Sequence, residues 1–260
     1  MDQKLKQLLD EAYHTYNNPE FIADDPIQIP HQFQQKEDIE ISGFLAAILA
    51  WGQRKTIIKK AEELIHLMDG KPYYFITTAN EKDYRLFYDF RHRTFNGDDC
   101  VSILLAIAHL YNNLGGLEQV FTQGFRTGGA YTAINSLFDE IFKLPHLKRT
   151  QKHIARPSQG SAAKRINMFL RWMVRKDDKG VDFGLWNGIS TAELVCPLDL
   201  HSGRMARQLG LLTRKQNDWK AAIELTHKLK AFDPIDPVKY DFALFGASMY
   251  QHKPISEKNL

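Results

Sequence analysis

Lys164 and Asp199 are the residues of this chain whose surroundings best suit covalent chemistry. Lys164 follows Gly160-Ser161-Ala162-Ala163, a glycine-containing turn that opens a helix, and Arg165 comes directly after it. A positive helix end and a neighbouring guanidinium both disfavour an ammonium, so the neutral amine is easier to reach than on a surface lysine. A neutral amine is what a Schiff-base nucleophile needs. The plain alternative is a solvated lysine on a basic helix. Asp199 lies in Cys196-Pro197-Leu198-Asp199-Leu200-His201-Ser202-Gly203-Arg204, where an N-cap belongs. Capping alone explains an Asp there. A carboxylate so placed is also stiff and ionised, able to accept a proton or to stabilise a cationic sugar. A third segment, Pro234 through Phe245, reads as a capped helix whose aromatics complete the same core or pocket.

Charge is distributed unevenly. From Ile141 through Lys176 there is no Asp or Glu, yet ten Lys and Arg occur: Lys143, Lys148, Arg149, Lys152, Arg156, Lys164, Arg165, Arg171, Arg175 and Lys176. Such a stretch is either the footprint of a polyanion or a face balanced by acids elsewhere in the fold. The turn at Gly160-Ser161 could offer backbone N–H groups to a phosphate without reading sequence.

The elements that must position these residues are helical, because apolar residues recur at helical spacing and no strand alternation stands out. The spacing predicts helices over 3–16, 39–51, 55–68, 83–90, 98–113, 116–124, 130–142, 161–175, 200–209, 218–230 and 237–250. A proline-punctuated loop is expected over 19–38, and Gly70 with Pro72 should stop the 55–68 helix. The fold class expected is all-α, an array of ten or so helices in two lobes.

Composition sets the outer bounds. The chain has 260 residues, 43% hydrophobic and 25% charged, which is ordinary for a globular protein. No apolar run approaches the roughly 20 residues of a membrane span, and the polar start is unlike a signal peptide, so a cytoplasmic location is expected. Cys100 and Cys196 form no CxxC pair, which argues against a thiolate zinc site or a four-cysteine iron–sulfur cluster. The ten histidines form no HExxH-type pair; Asp199 with His201 is at most one edge of a metal site.

In order and type these parts resemble the helix-hairpin-helix DNA glycosylase superfamily. Lys164, Phe169-Leu170-Arg171, and the later Pro197-Leu198-Asp199-Leu200-His201 with Arg204 look most like its 8-oxoguanine glycosylase/lyase branch, in particular the archaeal members. Phe44 to Gln53 is similar to the superfamily's early buried helix ending in a polar residue that faces DNA, and residues 87–99 to the connector after it. The chain reads as a member of an uncharacterised bacterial family allied to these enzymes. The resemblance implies a two-lobed body over 39–260, with residues 1–38 packing on it. It implies base-excision repair of double-stranded DNA carrying base damage or abasic sites: a damaged purine such as 8-oxoguanine is flipped into a cleft, and Lys164 attacks C1′ with help from Asp199. Gln53, Arg54, Gly160, Ser161, Arg165, Arg171 and Arg204 would then contact DNA, with Gln53 and Arg54 filling the space left in the duplex. Trp51, Trp186, Tyr240 and Phe245 would wall the base pocket. No cofactor, metal or membrane is implied.

Three features depart from the pattern. Ser158-Gln159-Gly160 replaces the usual Gly-hydrophobic-Gly hairpin, Lys164 and Asp199 are 35 residues apart, and the iron–sulfur cysteines of the endonuclease III branch are missing. Two other readings stand beside the enzyme. One is a non-catalytic nucleic-acid-binding protein of glycosylase-like fold. The other is a small-molecule enzyme or helical scaffold in which the basic stretch is neutralised inside the fold.

Overall fold

A computed structural model of the protein describes residues 2–249. Its order is α1 (Gln3–Tyr16), α2 (Glu20–Ala23), α3 (Lys36–Leu49), α4 (Arg54–Leu67), α5 (Pro72–Thr78), α6 (Gly97–Asn113), α7 (Gly116–Ile141), α8 (Lys164–Val174), α9 (Leu200–Gln208), α10 (Trp219–Lys230) and α11 (Tyr240–Met249). The strand pairing named among the described residues is one short antiparallel hairpin, Arg91–His92 with Phe95–Asn96. The all-α expectation holds.

Several local departures have clear causes. Residues 19–38 are not one loop: they hold α2 and two 3-10 turns, Pro26–Gln28 and Pro30–Gln32, each with proline at a first-turn position. Pro72 does more than stop α4. It occupies the first turn of α5, where its missing N–H costs nothing. The 83–90 segment closes as a 3-10 helix, Asp83–Phe87. The two helices expected over 116–142 run together as α7, broken at Gly128 and at Gly129, whose φ of 66° is left-handed. The halves approach so closely that a Cβ on Gly124 would lie 2.4 Å from the Ala133 Cα.

The core forms around α3, whose residues from Ile39 to Leu49 are all buried. Phe44, Phe121, Phe169 and Trp186 interlock there, with ring centroids 5.5 Å apart for Phe44–Phe169 and 5.4 Å for Phe169–Trp186. Each such side chain contributes roughly 1.5–3 kcal/mol on burial. Glu40, although only 2% exposed, is satisfied: it accepts from Trp186 Nε1 at 2.7 Å and from Tyr111 Oη at 2.6 Å. At the other end of the chain, α1 lies along α11 and α11 packs on α9. Among the described residues no single helix is long and apolar enough to cross a membrane; α6 and α7, apolar when taken together, meet at 77°.

Candidate active site

The start of α8 is set by two left-handed residues. Gly160 (φ 85°) turns the chain, and Ala163 (φ 49°) delays the helix, so that Lys164 becomes its first residue rather than Ser161. A left-handed alanine is strained, and its surroundings hold it. Ala163 is buried, its carbonyl accepts from Asn167 N at 2.9 Å, and the Asn167 side-chain amide donates to Ala162 O at 3.0 Å.

Asp199 caps α9 and does more than cap. Its Oδ1 accepts from His201 N at 2.8 Å and Ser202 N at 3.0 Å, while Asn217 Nδ2 grips its carbonyl at 2.8 Å. The cap therefore uses one oxygen. The other, Oδ2, lies 3.6 Å from Lys164 Nζ, with both side chains a little over one-quarter exposed. The Lys164 amine also reaches Met168 Sδ at 3.7 Å, which steadies its alkyl chain along α8. Burial pushes the Asp199 carboxyl up, but the Lys164 ammonium and the Ser202 and His201 N–H groups outweigh it and hold the group below the usual carboxylate range. An ionised carboxylate thus faces an amine at the start of a helix, in a partly water-excluded place.

Two buried carboxylates missed by the sequence reading lie within electrostatic reach of this pair. Asp241, on α11, is ion-paired to Arg171, and burial drives it up to about 6 against the pull of Arg171 and Lys164. Asp25 caps the Pro26–Gln28 turn through Ile27 N at 3.1 Å, and burial raises it against that bond and against Arg171, Lys164 and Arg54. A lone acid in the apolar run Phe242-Ala243-Leu244 is the signal that could have pointed to Asp241. Nothing local marks Asp25 as buried. The Cys196 thiol, also buried nearby, is pushed far up by desolvation and is no nucleophile.

Several expected contact residues are elsewhere. Arg171 was expected to touch DNA, but it is 4% exposed and bonded to Asp182 (3.2 Å) and Asp241, with its guanidinium over Phe242. Arg175 is buried with it and bridges Asp177, Asp182 and Asp236 at 2.8–2.9 Å. Arg165 turns inward, donating to Ile48 O and, at 3.0 Å, to His153 O. Helix ends and buried acids take up these charges, so none of the three presents itself to a phosphate. Arg149, Arg156 and Lys143 are likewise paired, with Asp99, Asp139 and Glu140. Of the stretch, Lys148, Lys152 and Lys176 are exposed with no carboxylate partner among the described residues.

Trp186 and Tyr240 are core residues, 1% and 0% exposed, the first bonded to Glu40 and the second to Asp10 at 2.9 Å. They cannot wall an open pocket. Trp51 and Phe245 are half-buried: Trp51 carries Arg93 over its ring at 5.0 Å, and Phe245 carries Arg54 at 4.8 Å. Gln53, Gly160 and Arg204 are exposed, while Ser161 is half-buried, its Oγ accepting from Ala163 N at 3.1 Å. Arg54 is half-buried, with Nη2 shielded from water and the guanidinium over the Phe245 ring. Among the described residues no group of three or more His, Cys, Asp or Glu is placed to hold a metal ion.

A family model described as a protein of unknown function (DUF2400) matches residues 25–250. The chain belongs to this family. The matched span begins at Asp25 and takes in Lys164, Asp199 and Asp241, so every member of the cluster lies within the DUF2400 region. No curated protein and no solved structure matches the chain.

Proposed function

We propose that the chain is a base-excision DNA glycosylase with lyase activity, a two-lobed helical array of the helix-hairpin-helix glycosylase type acting on double-stranded DNA in the cytoplasm. The observation that carries this reading is the 3.6 Å approach of Lys164 Nζ to Asp199 Oδ2, with Oδ1 held by the helix N–H groups. In the proposed reaction the amine loses a proton to Asp199, and its lone pair bonds to C1′ of an extrahelical nucleotide. The C1′–N bond breaks, its electron pair leaves with the base, and the base is protonated. The proton taken by Asp199 passes to the departing base, which returns the carboxylate to its charged form beside the positive charge that develops at C1′. Opening of the sugar ring then converts the C1′–amine adduct to an iminium, and loss of a C2′ proton expels the 3′-phosphate.

Borohydride tests this directly, because hydride addition to the iminium carbon locks protein to DNA. Wild-type protein should give a denaturation-resistant complex with abasic duplex, and Lys164→Gln should give none. Absence of the complex with wild type sinks the lyase reading.

The neutralised basic stretch favours a second reading, in which the same Lys164–Asp199 pair attacks a small carbonyl compound. Borohydride-dependent labelling of Lys164 by a small aldehyde, without trapping of abasic DNA, would select it.

A further inference from the structure

Trp219 opens α10 on a segment that touches both halves of the candidate active site. Asn217 Nδ2 grips the Asp199 carbonyl, Asp218 bridges to Ser161, and Trp219 N donates to Gly160 O at 3.2 Å. Along α10, at helical spacing, Trp219, Ile223, His227 and Lys230 line a cavity of about 200 Å³. Tyr131, just after the break in α7, and Glu193 help to complete it. The Tyr131 and Trp219 rings meet edge to face at 5.9 Å, and Tyr131 is 45% exposed. At the far end, His227 and Lys230 belong to the basic last turn of α10. Neither forms an ion pair among the described residues, even with Glu193 on the same cavity. The helix dipole favours cations there, but it does not account for their sharing one cavity with two open rings.

We infer that this cavity binds a free ribonucleoside monophosphate, its base on Trp219 and Tyr131 and its phosphate at His227 and Lys230. Exposed rings offer a π face to any base, and the stack needs no particular sequence. Lys230 lies roughly 16 Å along the helix from Trp219. Its side chain leans back toward the start of α10, which shortens that distance toward the length of one nucleotide. Glu193 decides what joins the two ends. Its Oε2 accepts from Ser190 N at 3.2 Å, and its other oxygen can accept a sugar hydroxyl. A free ribonucleotide brings such hydroxyls, whereas a deoxynucleotide inside a strand brings none. A ligand made of planar ring, hydroxylated sugar and phosphate thus satisfies the rings, the carboxylate and the cations together. The site is distinct from the Lys164–Asp199 pair and needs no chemistry there.

Ligand-observed NMR on the full chain tests this with AMP, adenosine, inorganic phosphate and a single-stranded pentamer of deoxyadenosine. AMP should bind wild type about 10-fold more tightly than adenosine, the effect of one hydrogen bond to a charged group. Lys230→Met should bring AMP down to the adenosine level and leave adenosine unchanged. Trp219→Leu and Tyr131→Leu should each weaken both ligands by about 10-fold, the loss of one stack. Tyr131 is exposed, so its variant serves if Trp219→Leu fails to fold. AMP that binds no better than adenosine, or as well to these variants as to wild type, overturns the inference. So does inorganic phosphate that matches AMP, or a pentamer that binds through Trp219 and Lys230 where AMP does not. Borohydride trapping is a separate readout, and its failure leaves this result standing.

Discussion

Asp199 divides its carboxylate between two partners: Oδ1 closes the first turn of α9 through His201 N and Ser202 N, and Oδ2 faces Lys164 Nζ at 3.6 Å. Cap and base are thus separable by substitution. Asn caps about as well as Asp, so Asp199→Asn should change stability by no more than a few tenths of a kcal/mol, measured by urea denaturation. Borohydride trapping should slow by about 10²-fold or more, because the charge is gone. A full-rate Asp199→Asn protein would reduce Asp199 to a cap.

Removing Arg171 should cost stability. Arg171→Met leaves Asp241 without its cation and Asp182 with Arg175 alone, and breaking a buried pair in this way costs about 3–5 kcal/mol. The loss should shrink in acid. Asp241 is raised to about 6 even with Arg171 present and moves higher without it, so near pH 5 it is protonated and needs no partner. Denaturant midpoints at pH 5 and pH 8 check this; an equal loss at both would show that packing against Phe242 dominates.

The salt dependence of DNA binding should follow exposure along the basic stretch. Lys148 and Lys152 are exposed without carboxylate partners among the described residues, as is Arg204 on α9. Each one that touches phosphate should, when replaced by Gln or Met, flatten the log K against log salt slope by about one unit. Arg171 and Arg175 should leave the slope unchanged in any variant that stays folded. A slope indifferent to Lys148, Lys152 and Arg204 would put the interface on another face.

His153 should set part of the acid limit of the fold. Burial pulls its pKa from 6.5 down to about 4, against the pull of Asp99. A depressed histidine favours the folded state above its unfolded pKa, and that contribution is lost as the pH falls from 6.5 through about 4. The amount is on the order of 3 kcal/mol. His153→Gln should lower stability at neutral pH yet show a shallower fall between pH 6.5 and 4 in thermal melts. An unchanged acid slope would show that other groups carry the transition.

Gly124 should not tolerate a side chain. Its Cβ would meet the Ala133 backbone across the break in α7, 2.4 Å from Cα, and backbone cannot move aside as a flexible side chain can. Gly124→Ala should cost about 1–3 kcal/mol; Gly128→Ala meets Thr132 instead, at Oγ1 (2.1 Å) and Cβ (2.9 Å), of which side-chain rotation moves only the first. Thermal melts that left Gly124→Ala at the wild-type midpoint would deny the close crossing.

The sequence by itself determined the helical class, most helix positions, and the two residues that meet at the candidate site. Those properties are local: apolar spacing names the buried face of a helix, and a glycine turn or a capping Asp names its start. Lys164 and Asp199 were legible because each sits at such a start. The tertiary structure alone decided which charges face water. Arg171 and Arg175 read like the exposed lysines beside them until Asp182 from the 176–195 segment, Asp236 from the turn before α11 and Asp241 from α11 neutralise them. Trp186 and Tyr240 became core for the same reason, through Glu40 and Asp10. Asp25, more than a hundred residues before them in the chain, comes within electrostatic reach of Lys164 and Arg171 only through the fold. Burial of a charge depends on partners far away in the chain, and no spacing rule along one segment contains that information.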